Sequence, residues 1–123
     1  MNILLAEDDK NFGSVLKNEL EEDRHSVHLV SNGVEAIMSF LQNPYDFVLL
    51  DLRMPRLGGS DVLRIIKCIN PSVPVVTFSG AAANSERAET VELGAIRCFS
   101  KPFEIIKLRD LIKNYPKGST SSF

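Results

Sequence analysis

The chain has 123 residues, of which 44% are hydrophobic and 24% charged, and its formal net charge is -2. This length is typical of one globular domain, and the near-neutral charge excludes the strongly basic composition of most nucleic-acid-binding domains. No apolar run approaches the ~20 residues needed to cross a bilayer, and the N-terminal segment turns acidic too early for a signal peptide. We therefore expect a cytoplasmic domain that contacts neither nucleic acid directly nor a membrane.

Short apolar runs alternate with helical patterns along the chain. Strands are predicted at 2–6, 26–30, 46–50, 73–78 and 96–99. Apolar residues at helical spacing predict a helix after each strand, and the fourth of these patterns is the weakest. The residues that mark the five helices are Phe12, Val15, Leu16, Glu19 and Leu20; Val34, Ile37, Met38 and Leu41; Val62, Leu63, Ile65, Ile66 and Ile69; Ala88, Val91 and Leu93; and Ile105, Leu108, Leu111 and Ile112.

The strands at 3–6, 47–50 and 75–78 are predominantly apolar without alternation, which is typical of parallel strands buried on both faces. Five strand–helix units of this kind predict an α/β fold with a doubly wound five-stranded parallel sheet. The last segment, 115–123, changes to small polar residues and is predicted to be a flexible tail or the start of a linker.

Polar side chains follow four of the five predicted strands. They are Glu7, Asp8 and Asp9 after the first strand, Asp51 after the third, Ser79 (ahead of Gly80) after the fourth, and Ser100 and Lys101 (ahead of Pro102) after the fifth. Functional sites in doubly wound sheets form at the carboxyl ends of the strands. We therefore expect these side chains to meet at one edge of the sheet, although each taken alone is also a common cap, turn or solvated residue.

Carboxylates held close together repel one another unless a cation neutralises them. An all-oxygen ligand set without His or Cys suits Mg²⁺ or Mn²⁺, and these ions recruit phosphate oxygens as further ligands. Lys101 could pair with Asp51 or with a phosphoryl oxygen, and the Ser79 hydroxyl could donate to the same oxygen. Asp51 is then a candidate nucleophile that accepts a phosphoryl group.

Four segments resemble, in order and spacing, those of the receiver domain of bacterial two-component response regulators, in a chemotaxis-regulator-like form. They are ILLAEDD, VLLDLRMPRLGG, VVTFSG and LGAIRCFSKPF. The resemblance covers roughly residues 1–114 and implies a flavodoxin-like sheet with strand order 2-1-3-4-5 and five helices. Residues 1–114 would form the receiver domain, ahead of the tail at 115–123.

The resemblance also implies roles for single residues. Asp51 would be the phosphoacceptor, Asp8 the direct Mg²⁺ ligand, and Glu7 a ligand that acts largely through water, while Asp9 lies one place beyond this acidic pair. The backbone carbonyl of Arg53 would be a further metal ligand.

On the two strands that follow, Ser79 would be the switch hydroxyl and Lys101 the phosphate contact. Together with Asp51 they are the candidate catalytic residues. The Lys101–Pro102 peptide bond would be cis, a geometry found mainly before proline.

The implied phosphoryl donor is a sensor histidine kinase or a histidine phosphotransfer protein. The implied target is a downstream protein or output domain that binds the face formed by the fourth helix, the fifth strand and the fifth helix. The domain would promote its own phosphorylation and dephosphorylation, with no separate substrate to turn over.

Two residues depart from the family pattern. Cys98, three residues before Lys101, occupies a position where the family commonly has a Tyr or Phe whose rotamer follows activation. Arg53 occupies a position that in the family influences how easily water reaches the phosphate, and a solvated surface cation is the alternative interpretation of this residue. Because Cys68 and Cys98 lack metal-binding spacing, we expect both to be buried free thiols.

Two alternatives to a phosphorylated receiver share part of this residue pattern. A phosphohydrolase of the haloacid dehalogenase type also uses a strand-end Asp with Mg²⁺ and Lys, but it needs a second Asp two residues after the nucleophile. This chain has Arg53 at that position and no cap-domain insertion. A pseudo-receiver would bind a partner without being phosphorylated, and the complete set of site residues argues against it.

Overall fold

A computed structural model of the chain describes residues 1–80, 84–101, 103 and 105–115. Strands and helices alternate throughout. Their bounds are β1 (Asn2–Ala6), α1 (Lys10–Glu22), β2 (Ser26–Val30), α2 (Gly33–Gln42), β3 (Phe47–Asp51), α3 (Gly59–Ile69), β4 (Val75–Ser79), α4 (Asn84–Glu92), β5 (Arg97–Ser100) and α5 (Ile105–Asn114). All neighbouring strands are parallel, in the order β2-β1-β3-β4-β5. The predicted doubly wound, flavodoxin-like sheet with five helices is confirmed.

The sheet has one hydrophobic layer on each face, and successive residues of the central strands alternate between them. In β1, Ile3 and Leu5 join the layer that contains residues of α1 and α5, whereas Leu4 and Ala6 join the layer that contains residues of α2 and α3. Every residue at 3–6, 47–50 and 75–78 has 0% exposure, which confirms the prediction of strands buried on both faces. No helix within the described residues is long and apolar enough to cross a bilayer.

Strands β3, β4 and β5 each end one residue later than their apolar runs predict. The backbone ladder continues past the last apolar side chain, because Leu52 donates from its backbone N to the Phe78 carbonyl at 2.9 Å. Asp51 and Ser79 are consequently the last residues of their strands rather than the first residues of loops. Their backbones are therefore fixed by the sheet.

The buried faces of the helices are narrower than the apolar spacing suggests. Seven of the apolar residues that predicted helices are exposed: Val15, Met38, Leu41, Ile65, Ile69, Ala88 and Val91. The expectation that both cysteines are buried is wrong for Cys68, although both are free thiols and Cys98 is buried. In α3 the buried side is formed by Val62, Leu63 and Ile66, and Cys68 lies about half a turn away from it.

Gly59 fixes the start of α3 against the end of β3. A Cβ atom at this position would lie 2.5 Å from the Asp51 carbonyl oxygen and 2.6 Å from Leu52 Cα. The Gly59 backbone N also donates to the Leu52 carbonyl at 3.1 Å. Only glycine permits this close approach of two backbones.

We predict that Gly59→Ala lowers the free energy of unfolding by about 1–3 kcal/mol, because the added methyl group would force the two backbones apart. Gly80→Ala is the matched control, since a Cβ atom at Gly80 would meet nothing within 4 Å. Urea unfolding of both variants and the wild type measures the difference. Equal losses for the two variants would contradict the proposed tight contact.

Candidate functional site

Two buried carboxylates come from neighbouring strands at the carboxyl edge of the sheet. Glu7 directly follows β1, and its backbone N donates to the Val30 carbonyl of β2 at 3.0 Å. Asp51 ends β3, which lies beside β1. Glu7 is 1% exposed and Asp51 4% exposed. Charged groups this deeply buried require a compensating partner.

Lys101 provides that partner from the far side of β4. Its backbone N donates to the Ser79 carbonyl at 2.6 Å, which places Lys101 beside the end of β4. Its ammonium nitrogen lies 2.6 Å from Glu7 Oε1 and 3.3 Å from Asp51 Oδ2. The predicted pairing of Lys101 with Asp51 is present in the structure. The shorter contact with Glu7 was not anticipated from the sequence.

The three groups alter one another's proton affinity. Burial raises the pKa of Glu7 to about 7, the Asp51 carboxylate acts in the same direction, and the hydrogen bond from Lys101 opposes both. Burial by itself would lower the pKa of Lys101, but its hydrogen bond to Glu7 and the charges of Asp51 and Glu7 outweigh this and raise it. Lys101 is therefore a permanent cation at neutral pH, whereas Glu7 is poised to hold or release a proton.

The two oxygens of Asp51 have different partners. Oδ2 faces the Lys101 ammonium, and Oδ1 accepts a hydrogen bond from the backbone N of Arg53 at 3.1 Å. The same turn exposes the Arg53 side chain. Asp51 is thus held in one orientation, with both oxygens at the edge of the sheet.

Glu7, Asp8 and Asp51 form a group that could hold a metal ion, since each offers one carboxylate oxygen and these atoms all lie within 4.8 Å of one another. Asp8 is exposed, whereas the other two are buried. Three ionised carboxylates beside one lysine ammonium have a net negative formal charge, which a divalent cation would cancel. An all-oxygen set of this kind fits Mg²⁺ or Mn²⁺.

Asp9 has a structural role that is separate from this group. It is the N-cap of α1, and its Oδ1 accepts hydrogen bonds from the backbone N of Asn11 at 3.0 Å and of Phe12 at 3.2 Å. Its own backbone N donates to Glu7 Oε2 at 3.2 Å. The start of α1 is therefore tied directly to the acidic site.

Ser79 is buried at the end of β4, and its hydroxyl oxygen has no hydrogen-bond partner among the described residues. An unsatisfied buried hydroxyl costs about 1–3 kcal/mol. The Ser79 hydroxyl is therefore available to donate a hydrogen bond to an acceptor introduced at this edge of the sheet. The expected cis bond before Pro102 lies outside the described residues.

Two polar or aromatic features near the site were missed by the sequence analysis. The Phe12 ring lies 4.6 Å from the Lys101 ammonium nitrogen, although the sequence pattern marked Phe12 only as a residue of the helix face. Thr77 and Thr90 form a buried hydroxyl–hydroxyl hydrogen bond of 3.2 Å between β4 and α4. The position of Phe12 in the first turn after the acidic pair was the only available signal for the first of these features.

Comparison with known proteins gives a consistent result. The sequence model of the response regulator receiver domain matches residues 3–113. Sporulation initiation phosphotransferase F of Bacillus subtilis is 28% identical over 113 residues, which cover 92% of this chain and 91% of that protein. The transcriptional regulatory protein CusR of Escherichia coli is 30% identical over 108 residues, covering 88% of this chain and 48% of CusR. The chain spans about half the length of several such curated relatives.

Solved structures show the same fold. The receiver domain of the Francisella response regulator 1452 superposes with a TM-score of 0.86 at 28% identity, covering 91% of this chain and 93% of that one. A response regulator receiver domain protein from Clostridium thermocellum has a TM-score of 0.86 at 30% identity, with 92% and 91% covered.

The acidic residues permit a direct test of the metal site. We predict that Asp8→Ala weakens Mg²⁺ binding strongly with little loss of stability, because Asp8 is an exposed member of the carboxylate group. Asp9→Ala is expected to lower the free energy of unfolding by about 1 kcal/mol through loss of the N-cap, with a smaller effect on Mg²⁺ affinity. Metal titration and urea unfolding of both variants measure these effects. Equal losses of affinity would show that the acidic pair is assigned one residue out of register.

Proposed function

The chain belongs to the family of response regulator receiver domains, and from this premise we propose that Asp51 is its phosphoacceptor. The donor is a phosphohistidine of a sensor histidine kinase or of a histidine phosphotransfer protein. The domain promotes transfer to its own aspartate and turns over no separate substrate. Its formal net charge of -2 favours protein partners over direct contact with nucleic acid.

The observation that carries this proposal is the position of the Asp51 carboxylate. It is 4% exposed, lies 3.3 Å from the Lys101 ammonium and belongs to the group of three carboxylates. A carboxylate whose role was only structural would gain little from two further acids placed beside it, because like charges repel. The same cluster becomes favourable when a divalent cation and a phosphoryl group bind.

In the proposed reaction, a carboxylate oxygen of Asp51 attacks the phosphorus atom. The bond between phosphorus and the imidazole nitrogen of the donor breaks, and the departing imidazole keeps the bonding electron pair. Lys101 stabilises the negative charge on the phosphoryl oxygens, and the backbone N of Arg53 orients the attacking carboxylate.

Glu7, Asp8, Asp51 and the backbone carbonyl of Arg53 are the proposed ligands for Mg²⁺, with Mn²⁺ as an alternative. When bound, the ion supplies positive charge that offsets both the carboxylates and the phosphoryl oxygens. Positive charge at this position would favour the ionised form of Glu7 and so oppose the burial that raises its pKa.

The proposed switch begins at Ser79. Its unpartnered hydroxyl is a donor for a phosphoryl oxygen on Asp51, and moving it would displace the end of β4. Two residues earlier, Thr77 is hydrogen-bonded to Thr90 of α4, so this displacement would reach α4.

Cys98 is the partner of Thr77 on β5 and is buried. Its small thiol provides no aromatic ring that could swing between two positions.

The proposed output face is formed by α4, β5 and α5. Among the described residues, these regions contribute exposed large apolar side chains, namely Val91 in α4, Ile96 just before β5 and Ile106 in α5. Exposed apolar side chains of this kind suit a protein partner or an output domain.

We predict that acetyl phosphate with Mg²⁺ adds one phosphoryl group to the wild type and none to Asp51→Asn, as measured by intact mass. Asp61→Asn is the matched control, because Asp61 is an exposed carboxylate on α3. It should be phosphorylated like the wild type, and removal of Mg²⁺ by a chelator should abolish the gain. A wild type that gains no mass would favour the pseudo-receiver alternative, whereas an Asp51→Asn variant that gains as much as the wild type would show that another residue is the phosphoacceptor.

The switch is tested with beryllofluoride, a mimic of the phosphoryl group, by amide chemical shifts of α4 and β5. We expect Cys98→Ala to retain the shift changes of the wild type and Ser79→Ala to lose most of them. Ser100→Ala is the control for Ser79→Ala, since the two serines are partners at the ends of β4 and β5. If a folded Cys98→Ala variant loses the response, the thiol is itself part of the switch.

A further inference from the structure

An aromatic ring contacts the cation of the site. The Lys101 ammonium nitrogen lies over the Phe12 ring, 4.6 Å from its centroid. The face of an aromatic ring carries partial negative charge and attracts a cation at this distance. We propose that Phe12 is a positioning residue, whose ring holds the Lys101 ammonium between Glu7 and Asp51 and thereby sets the rate at which Asp51 is phosphorylated.

Lys101 needs such a contact because its two carboxylate partners compete for it. The ammonium lies closer to Glu7, at 2.6 Å, than to Asp51, at 3.3 Å. The lysine stem is flexible, and 22% of the side chain is exposed, so water competes as well. A rotation of the lysine stem that kept only the contact with Glu7 would take the ammonium away from Asp51, where it is needed to stabilise a phosphoryl group. The ring adds a third attraction that does not titrate and does not impose a hydrogen-bond direction.

The Phe12 ring is itself held in place from several sides. The backbone N of Phe12 donates to the Asp9 carboxylate in the first turn of α1. Its ring meets Phe78 and Phe103 edge to face, with centroids 6.2 Å and 5.7 Å away. Phe103 is stacked in turn on Phe78 and Phe99, at 5.2 Å and 5.1 Å. The four rings form an aromatic cluster that fixes the position of Phe12 relative to Lys101.

This inference rests on the proposed phosphorylation of Asp51. It also distinguishes attraction of the ammonium by the ring from simple packing against the lysine stem. An aliphatic side chain at position 12 would exclude water from the lysine stem as well as phenylalanine does. Only an aromatic ring attracts the ammonium through its charge distribution. Changing the electron density of the ring at constant shape therefore separates positioning of the cation from simple packing.

The contact itself is tested by NMR of the full chain without any phosphodonor. In the wild type, the Lys101 Hε protons should be shifted upfield by the ring current of Phe12, and Phe12→Leu should remove this shift. Phe47→Leu is the matched control, because Phe47 belongs to the same hydrophobic layer and its ring contacts Tyr115. It should leave the Lys101 protons unchanged. An unshifted Lys101 in the wild type would overturn the proposal.

The effect on rate is tested by replacing Phe12 with mono-, di- and pentafluorinated phenylalanine, which progressively weakens the negative charge on the ring face. The initial rate of phosphorylation by acetyl phosphate with Mg²⁺ should fall in order of fluorination, reaching about a three- to tenfold loss. The same series at Phe47 should leave the rate unchanged. Thermal unfolding of every variant confirms that the fold is retained.

The outcomes separate the two proposals. A phosphorylated wild type whose rate does not follow fluorination at Phe12 would overturn the role of Phe12 and leave Asp51 as phosphoacceptor. A wild type that gains no phosphoryl group would overturn the proposed function and, with it, the control of rate by Phe12. A graded loss at Phe12 with none at Phe47 would support both.

Discussion

The central constraint on this structure is the burial of two carboxylates, Glu7 and Asp51, beside one ammonium group. Charges removed from water are stable only when compensated, and losing one partner of such a cluster typically costs 3–5 kcal/mol. The compensation must come from Lys101, which is far away in the sequence. The ends of β1, β3 and β5 therefore have to converge on one edge of the sheet, and the strand order β2-β1-β3-β4-β5 allows this.

The rest of the fold keeps this edge in place. The backbone N of Lys101 is hydrogen-bonded to the end of β4. From there the side chain reaches the end of β3, about one strand spacing of 4.8 Å away, and the end of β1, about two spacings away. Asp9 ties the start of α1 to Glu7, and Gly59 allows α3 to begin against the carbonyl of Asp51. Each element beside the site is thus attached to it by backbone, which limits how far the charged side chains can drift.

The site is also asymmetric in a way that suits a switch. On one face of the sheet, the aromatic cluster contacts the lysine through Phe12, and its rings pack against one another. Beside α4, the Ser79 hydroxyl lacks a partner, while the Thr77–Thr90 bond joins the same strand to that helix. A phosphoryl group on Asp51 can therefore form a new hydrogen bond on the side of Ser79, because the Ser79 hydroxyl has no other partner among the described residues. The rigid side fixes the chemistry, and the unsatisfied side can move.

The sequence by itself determined the order of strands and helices, the strands buried on both faces, and the polar residues at the carboxyl edge, because periodicity and strand-end position are local properties of the chain. It did not determine that Cys68 is exposed or that Phe12 contacts Lys101, since both depend on which side of a helix packs against the sheet. The preference of Lys101 for Glu7 over Asp51 likewise depends on distances between residues remote in sequence. Only the tertiary structure decides such distances, because they are set by how helices and strands pack together and not by the spacing within any one of them.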